Sequence, residues 1–175
     1  MNLFYRGFPK INTERLTLRQ VEKKDLQDLY QLFNSVETKK FQNSHYYSNE
    51  ELIDYIDNIK TLFNNQEQIV WILERKSDNA FIGIRILYND GNDRFEIQGD
   101  TKTEYWRNGY TKEAYCGLIK FIKNTYNGSV AKIYSEIQNE NVAAIRLVSS
   151  LNFDFQKSYV AENGKKMMIY QKIIF

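Results

Sequence analysis

Between residues 69 and 137 the hydrophobic period of this chain changes twice, and that change limits the folds open to it. Residues 69–73, 80–88 and 94–101 place apolar side chains at a period of two. Ser77-Asp78-Asn79 and the run from Asn89 to Asp93 supply turn chemistry between them, so the three read as an antiparallel meander. From Thr111 the period becomes helical: Ala114, Leu118, Phe121, Ile122 and Thr125 share one face, and Asn127-Gly128 closes the helix. Residues 131–137 then alternate again. A strand, helix, strand unit demands a right-handed crossover into a parallel pair, so the sheet must be mixed.

The flanks complete the order. Residues 15–19 read as a half-buried strand, and Asp25 opens a helix carrying Leu26, Leu29, Tyr30, Leu32 and Phe33. Ser48 with Glu51 forms a capping box ahead of Leu52, Ile56, Ile59 and Phe63. Beyond the crossover come a short helix over 142–151 and strands over 153–160 and 166–174, the last two joined by a turn at Glu162-Asn163-Gly164. The sequence therefore predicts β-α-α-β-β-β-α-β-α-β-β. This is a single α/β (α+β) domain over residues 1–175, with a mostly antiparallel mixed sheet, one parallel crossover pair, and helices on both faces. A length of 175 residues suits one core.

Scarce residue types narrow the chemistry. One Cys and one His leave neither an intrachain disulfide nor the usual four-ligand zinc site, and a Ser-His-Asp or Cys-His hydrolase would rest on His45 alone. No metal site is expected. Lys plus Arg number 24 against 22 Asp plus Glu, a near-balance that argues against nucleic acid as a partner. The start, Met-Asn-Leu-Phe-Tyr-Arg, lacks an apolar signal core, and the apolar run over 82–87 is broken by Gly83 and Arg85. The expectation is a cytoplasmic chain with no membrane contact.

Gly109 stands between a strand and the start of a helix, in Trp106-Arg-Asn-Gly-Tyr-Thr111. Unbonded N–H groups at a helix start form an anion site, and glycine lets a phosphate approach the main chain. Arg107 and Lys112 add positive charge there. The loop has no Gly-Lys-Ser/Thr ending, and no G-x-G-x-x-G occurs in the chain, so nucleoside triphosphates and dinucleotides on their usual motifs are disfavoured. By itself, a lone glycine reads equally as a turn former.

The run Tyr105-Trp-Arg-Asn-Gly-Tyr-Thr-Lys-Glu-Ala114 resembles the acetyl-CoA pyrophosphate loop of the GNAT N-acetyltransferases, nearest the RimJ/RimL-type branch. The resemblance extends to residues 13–19, to Phe81-Ile-Gly83, and to the segment from Asn141 to Phe153. It implies the GNAT fold, acetyl-CoA as co-substrate, and a primary amine as acceptor: a protein N-terminus, a polyamine or a small-molecule amine. A homodimer is compatible with it. The cofactor-binding residues it implies are Thr101, Trp106, Arg107, Asn108, Gly109, Tyr110, Thr111, Lys112 and Asn141. The strand 94–101, splaying from 131–137, becomes the pantetheine track and a source of N–H donors.

Glu96 matches a position where RimL-like members often carry the carboxylate that accepts the amine's proton. Read alone, it is equally a solvated strand residue, and Asn141 is equally a helix cap. The chain departs from the pattern in several places. Trp106 fills the first loop position, Arg107 an optional glycine and Thr111 the final small residue. Asn152 replaces the glycine before Phe153, and Gln98-Gly99 replaces Gly-Tyr. Val148 and Ala144 stand where family members carry a Tyr acid and a Ser, leaving Tyr134, Ser149, Ser150 and Tyr159 as substitutes. Those gaps keep open a non-catalytic acyl-CoA-binding module. His45 reads as a surface or loop-packing residue near the acceptor, and Cys116 as packed against the sheet.

Overall fold

The computed structural model describes residues 3–4, 7–41, 45–126 and 129–175. Within them lie β1 (Ile11–Asn12), β2 (Leu16–Gln20), α1 (Leu26–Phe33), α2 (Val36–Lys39), α3 (Asn49–Asn64), β3 (Gln68–Arg75), β4 (Phe81–Asn89) and β5 (Arg94–Gln98). There follow α4 (Tyr110–Tyr126), β6 (Ala131–Gln138), α5 (Val142–Ser150), β7 (Asp154–Val160) and β8 (Lys166–Ile174). The strands form one sheet in the order β1-β2-β3-β4-β5-β6-β8-β7. β5 and β6 run parallel and the other neighbours antiparallel, as the period pattern requires.

Both faces of the central strands are buried. On β3, Ile69, Trp71 and Leu73 face a core completed by Leu118 and Ile122 of α4 and Val148 of α5. Val70 and Ile72 face the other way, onto Leu29 and Leu32 of α1 and Leu52 and Ile59 of α3. This double burial is why residues 69–73 read as an unbroken apolar run. The start of α3 is capped as the sequence predicts, with Glu51 N donating to Ser48 Oγ at 3.1 Å and Ser48 N to Glu51 Oε2 at 2.7 Å.

Four local expectations change. The strand expected over 94–101 ends at Gln98, because Gly99 turns to φ 135 and breaks the ladder. The third long helix begins at Tyr110, one residue early, while Asn127-Gly128 lie outside the described residues. β1 and α2, too short to show a period, carried no sequence signal. Cys116 does not pack against the sheet: it is exposed, on the outer side of α4.

Candidate active site

β5 and β6 pair at only three positions, Arg94 with Lys132, Phe95 with Ile133 and Glu96 with Tyr134. Beyond them the two strands part, and the sheet opens into a wedge. Ser135 of β6 closes its narrow end, donating from Oγ to Ile97 O at 3.0 Å. On the β5 side the chain passes through Gly99 and Asp100 to Thr101, which forms an isolated antiparallel bridge with Gly83. Two glycines let this segment and β4 approach closely. A Cβ on Gly99 would lie 2.2 Å from Ile84 O, and one on Gly83 would lie 2.2 Å from Asp100 O. Ile84 N donates to Asp100 O and Lys102 N to Ile82 O, each at 2.9 Å. These bonds flank the Gly83–Thr101 pair, so ladder alternation turns the Thr101 N–H away from β4 and into the wedge.

The glycine loop follows. Arg107 and Gly109 take left-handed conformations, φ 61 and 80, which accounts for glycine being an option at the first and fitting the second. The first helical bond of α4 runs from Glu113 N to Gly109 O at 3.0 Å, leaving the N–H groups of Tyr110, Thr111 and Lys112 ahead of the intrahelical ladder. They form the positive end of a helix of 17 residues. Trp106 Nε1 donates to Thr101 O at 2.7 Å, and Thr101 Oγ1 meets Thr111 Oγ1 at 3.0 Å, so loop, helix start and wedge are tied together.

Two arginines not assigned to the site from sequence brace this loop from outside. Arg15 pairs with Glu113 at 2.7 Å, donates to Asn108 O at 3.0 Å, and lies over the Tyr110 ring. Arg75 donates to the Tyr110 hydroxyl at 3.3 Å and lies over Tyr105. For Arg15 a signal existed, since it sits inside the Thr13–Arg19 motif. Asn108 is turned outward by its contacts with Arg15 and Trp106, and it does not line the cavity.

Two cavities meet at the wedge. One, of about 560 Å³, is lined by Thr101, Trp106, Arg107, Gly109, Tyr110, Thr111, Lys112 and Asn141, eight of the nine residues expected to hold the cofactor. The second, of about 520 Å³, is lined by Glu96 together with Asp100, Glu136 and the aromatic rings of Phe33, Tyr47, Tyr55 and Tyr88. Gly99, Asp100, Tyr115, Asn141 and Leu147 border both, which makes them halves of one cleft. Asn141 caps α5, its Oδ1 accepting from Ala144 N at 3.1 Å, and the cap bond leaves its Nδ2 donors unused.

Burial raises the Glu96 pKa above the usual carboxylate range; a 2.8 Å bond from Gln98 Nε2 opposes this, and the charges of Glu136 and Asp90 add to it. Tyr159 donates its hydroxyl to Glu136. None of the four substitute acids lines either half. Tyr134 faces Asp90 at 3.5 Å and Ser150 bonds Leu147 O. Sequence reasoning missed Tyr115, a residue of the buried face of α4 whose hydroxyl reaches Ser135 Oγ at 3.3 Å. His45 is exposed, paired with Glu51 at 2.9 Å and stacked on Tyr47, outside the lining; residues 42–44 of its loop lie outside the described residues. Among the described residues no cluster of His, Cys, Asp and Glu is arranged to hold a metal ion, and no helix is long and apolar enough to cross a membrane.

The acetyltransferase (GNAT) domain family matches residues 15–154. The chain belongs to this family. As a GNAT enzyme it is an acetyl-CoA-dependent N-acetyltransferase, and the glycine loop with the cleft behind it fits that co-substrate. It is 24% identical over 163 residues to the uncharacterized N-acetyltransferase YoaA of Bacillus subtilis (strain 168), covering 90% of this chain and 91% of that one. Among solved structures, the Salmonella typhimurium acetyltransferase that modifies the N-terminal serine of ribosomal protein L7/L12 superposes with a TM-score of 0.80 at 15% identity, covering 95% of this chain and 100% of that chain. The spermidine N-acetyltransferase of Vibrio cholerae, in complex with CoA and spermine, gives 0.75 at 22% identity over 91% and 95% of the two chains. The structural likenesses establish the GNAT fold.

Proposed function

We propose that this chain transfers the acetyl group of acetyl-CoA to a cationic primary amine, with Glu96 taking the proton that the amine must lose. The observation that carries this reading is the polarity of the cleft: it has an anion-receiving end at the start of α4 and a carboxylate-and-aromatic end at β5 and β6. Acetyl-CoA supplies the activated thioester. The N–H groups of Tyr110, Thr111 and Lys112, with the Arg107 and Lys112 side chains, suit its pyrophosphate. The Thr101 N–H and the Asn141 amide suit the pantetheine arm.

Across the wedge, Glu96, Asp100 and Glu136 line the acceptor half, and Phe33, Tyr47, Tyr55 and Tyr88 give it faces favourable to a cation. No lysine or arginine is among the lining residues there. A lysine-type amine has a pKa near 10.4 and arrives protonated, so it must lose a proton before attack. Glu96 is a stronger base than a solvated carboxylate because burial raises its pKa. Glu96 and Glu136 lie in this one half. They suit an acceptor with more than one ammonium group, such as a polyamine.

The test is CoA-thiol release over spermidine, a monoamine and a serine-initiated peptide. Highest kcat/KM with spermidine supports the reading. Acetyl-CoA binding without thiol release above background for any amine contradicts it, and points to a non-catalytic acyl-CoA-binding module.

A further inference from the structure

One charge sits inside the apolar run of β4. Ile82, Ile84 and Leu87 are fully buried, and Arg85 among them is 1% exposed. Its guanidinium makes no ion pair among the described residues. Two of its partners are oxygen atoms of the break in β5, and the third is the carbonyl of its neighbour Ile84 on β4. Nη1 donates to Ile84 O at 2.5 Å and Asp100 O at 2.9 Å, and Nη2 donates to Thr101 Oγ1 at 2.9 Å. Nε has no hydrogen-bond partner, and the Tyr115 ring lies 5.8 Å from the guanidinium carbon. A buried cation without a carboxylate on it is costly, and an aliphatic side chain would serve packing better. What the guanidinium does that an aliphatic chain cannot is hold three acceptors at fixed places with a rigid planar fork.

Two of those acceptors, Asp100 O and Thr101 Oγ1, belong to the segment where the two halves of the cleft meet. Thr101 takes Arg85 on its hydroxyl, passes that contact to Thr111 in the first turn of α4 at 3.0 Å, and accepts Trp106 Nε1 on its carbonyl at 2.7 Å. The chain from β4 through Thr101 to the helix start is continuous. It links the phosphate-receiving end of the cleft to the backbone that faces the thioester end.

We propose that Arg85 is a positioning residue for acetyl transfer. It fixes the Gly99–Asp100–Thr101 break and, through Thr101, sets that backbone in register with the start of α4. The inference rests on the acetyl-transfer reading for its effect on turnover, while the local mechanics stand apart from the identity of the acceptor.

The experiment compares Arg85→Met, Arg85→Lys and Thr101→Val with the wild-type chain by three readouts: kcat with the best amine, CoA dissociation constant by calorimetry, and hydrogen exchange at the Ile84 and Lys102 amides, which bond across the break. Arg85→Met is expected to lower kcat at least tenfold, to weaken CoA less than threefold, and to speed exchange at Ile84 and Lys102 at least tenfold. Arg85→Lys restores part of kcat, because an ammonium reaches fewer of the acceptors. If Arg85→Met does not fold, Thr101→Val decides: it removes the hydroxyl that Arg85 and Thr111 share, and it is expected to lower kcat at least threefold. A wild-type kcat in the folded variants, or unchanged exchange at Ile84 and Lys102, overturns the proposal. Should no amine support turnover in the wild-type chain, exchange and calorimetry still show whether Arg85 holds the break.

Discussion

Glu96 occupies a half-buried place beside Gln98 and within the field of Glu136 and Asp90, and burial is the largest cause of its raised pKa. Two outcomes follow with opposite signs. Glu96→Gln lowers kcat at pH 7 by ~10²-fold or more, the usual contribution of a positioned base, and it removes the acid limb of the wild-type rate profile. That limb lies above the ordinary glutamate pKa of about 4.3, since the base works only when ionised. Stability moves the other way. A carboxyl whose folded pKa is raised stabilises the fold below its unfolded pKa and loses that contribution as pH rises through the folded value. The neutral amide escapes the loss, so Glu96→Gln is expected to melt at or above the wild-type temperature at pH 7. The gap closes near pH 4. Reduced turnover together with a lower melting temperature would instead mark Glu96 as a structural residue.

Gly99 is the residue whose importance the sequence understated. Gly109 drew attention because it stands in a loop before a helix, and its φ of 80 is left-handed. Gly99 is held harder, by a φ of 135 and by Ile84 O at 2.2 Å from where a Cβ would sit. Gly99→Ala is expected to cost at least about 2 kcal/mol in chemical denaturation. A loss near zero would mean that the β4–β5 contact yields easily.

At the scale of elements, the meander, the crossover helix and the capped α3 were legible because each repeats one period for several turns or pleats. The break in β5 was not. Phe95, Ile97 and Thr101 keep the alternation of a strand through it, and the distortion comes with close approaches between strands far apart in sequence, Gly83 against Asp100 and Thr101 and Gly99 against Ile84 and Arg85. Arg85 was visible only as an interruption of an apolar run, since its role depends on oxygens supplied by a neighbouring strand. The cofactor loop was legible through its resemblance and through the physics of a helix start. Asn108, expected among the cofactor residues, gives its carbonyl to Arg15, a contact between segments far apart in sequence.

The loop is an element whose shape is set from outside by Arg15 and from within by Thr101. Arg15→Ala is expected to weaken CoA three- to tenfold by calorimetry with little change in melting temperature, as the partner Glu113 is already held by Thr13 at 2.5 Å. Gly109→Val is expected to weaken CoA at least tenfold, because the side chain is strained at positive φ and the start of α4 must move. Wild-type affinity in Gly109→Val would remove the loop from the account.

At the scale of the whole molecule, the mixed sheet produces the site by failing to close. Three paired positions between β5 and β6 hold the two halves of the sheet together, and the parting beyond them opens a cleft with one cationic and one anionic end. In the proposed reaction the reactive thioester comes with the co-substrate, so a chain with one His and one Cys is asked only for N–H donors and a carboxylate. The account therefore turns on transfer between the two ends. The most direct measurement incubates the protein with acetyl-CoA and spermidine and follows both products, acetylated amine by mass spectrometry and free CoA thiol by absorbance. The account predicts the two in equal amounts, rising together, with Glu96→Gln greatly slowed. Thiol release without acetylated amine, or CoA binding with neither product, would contradict it.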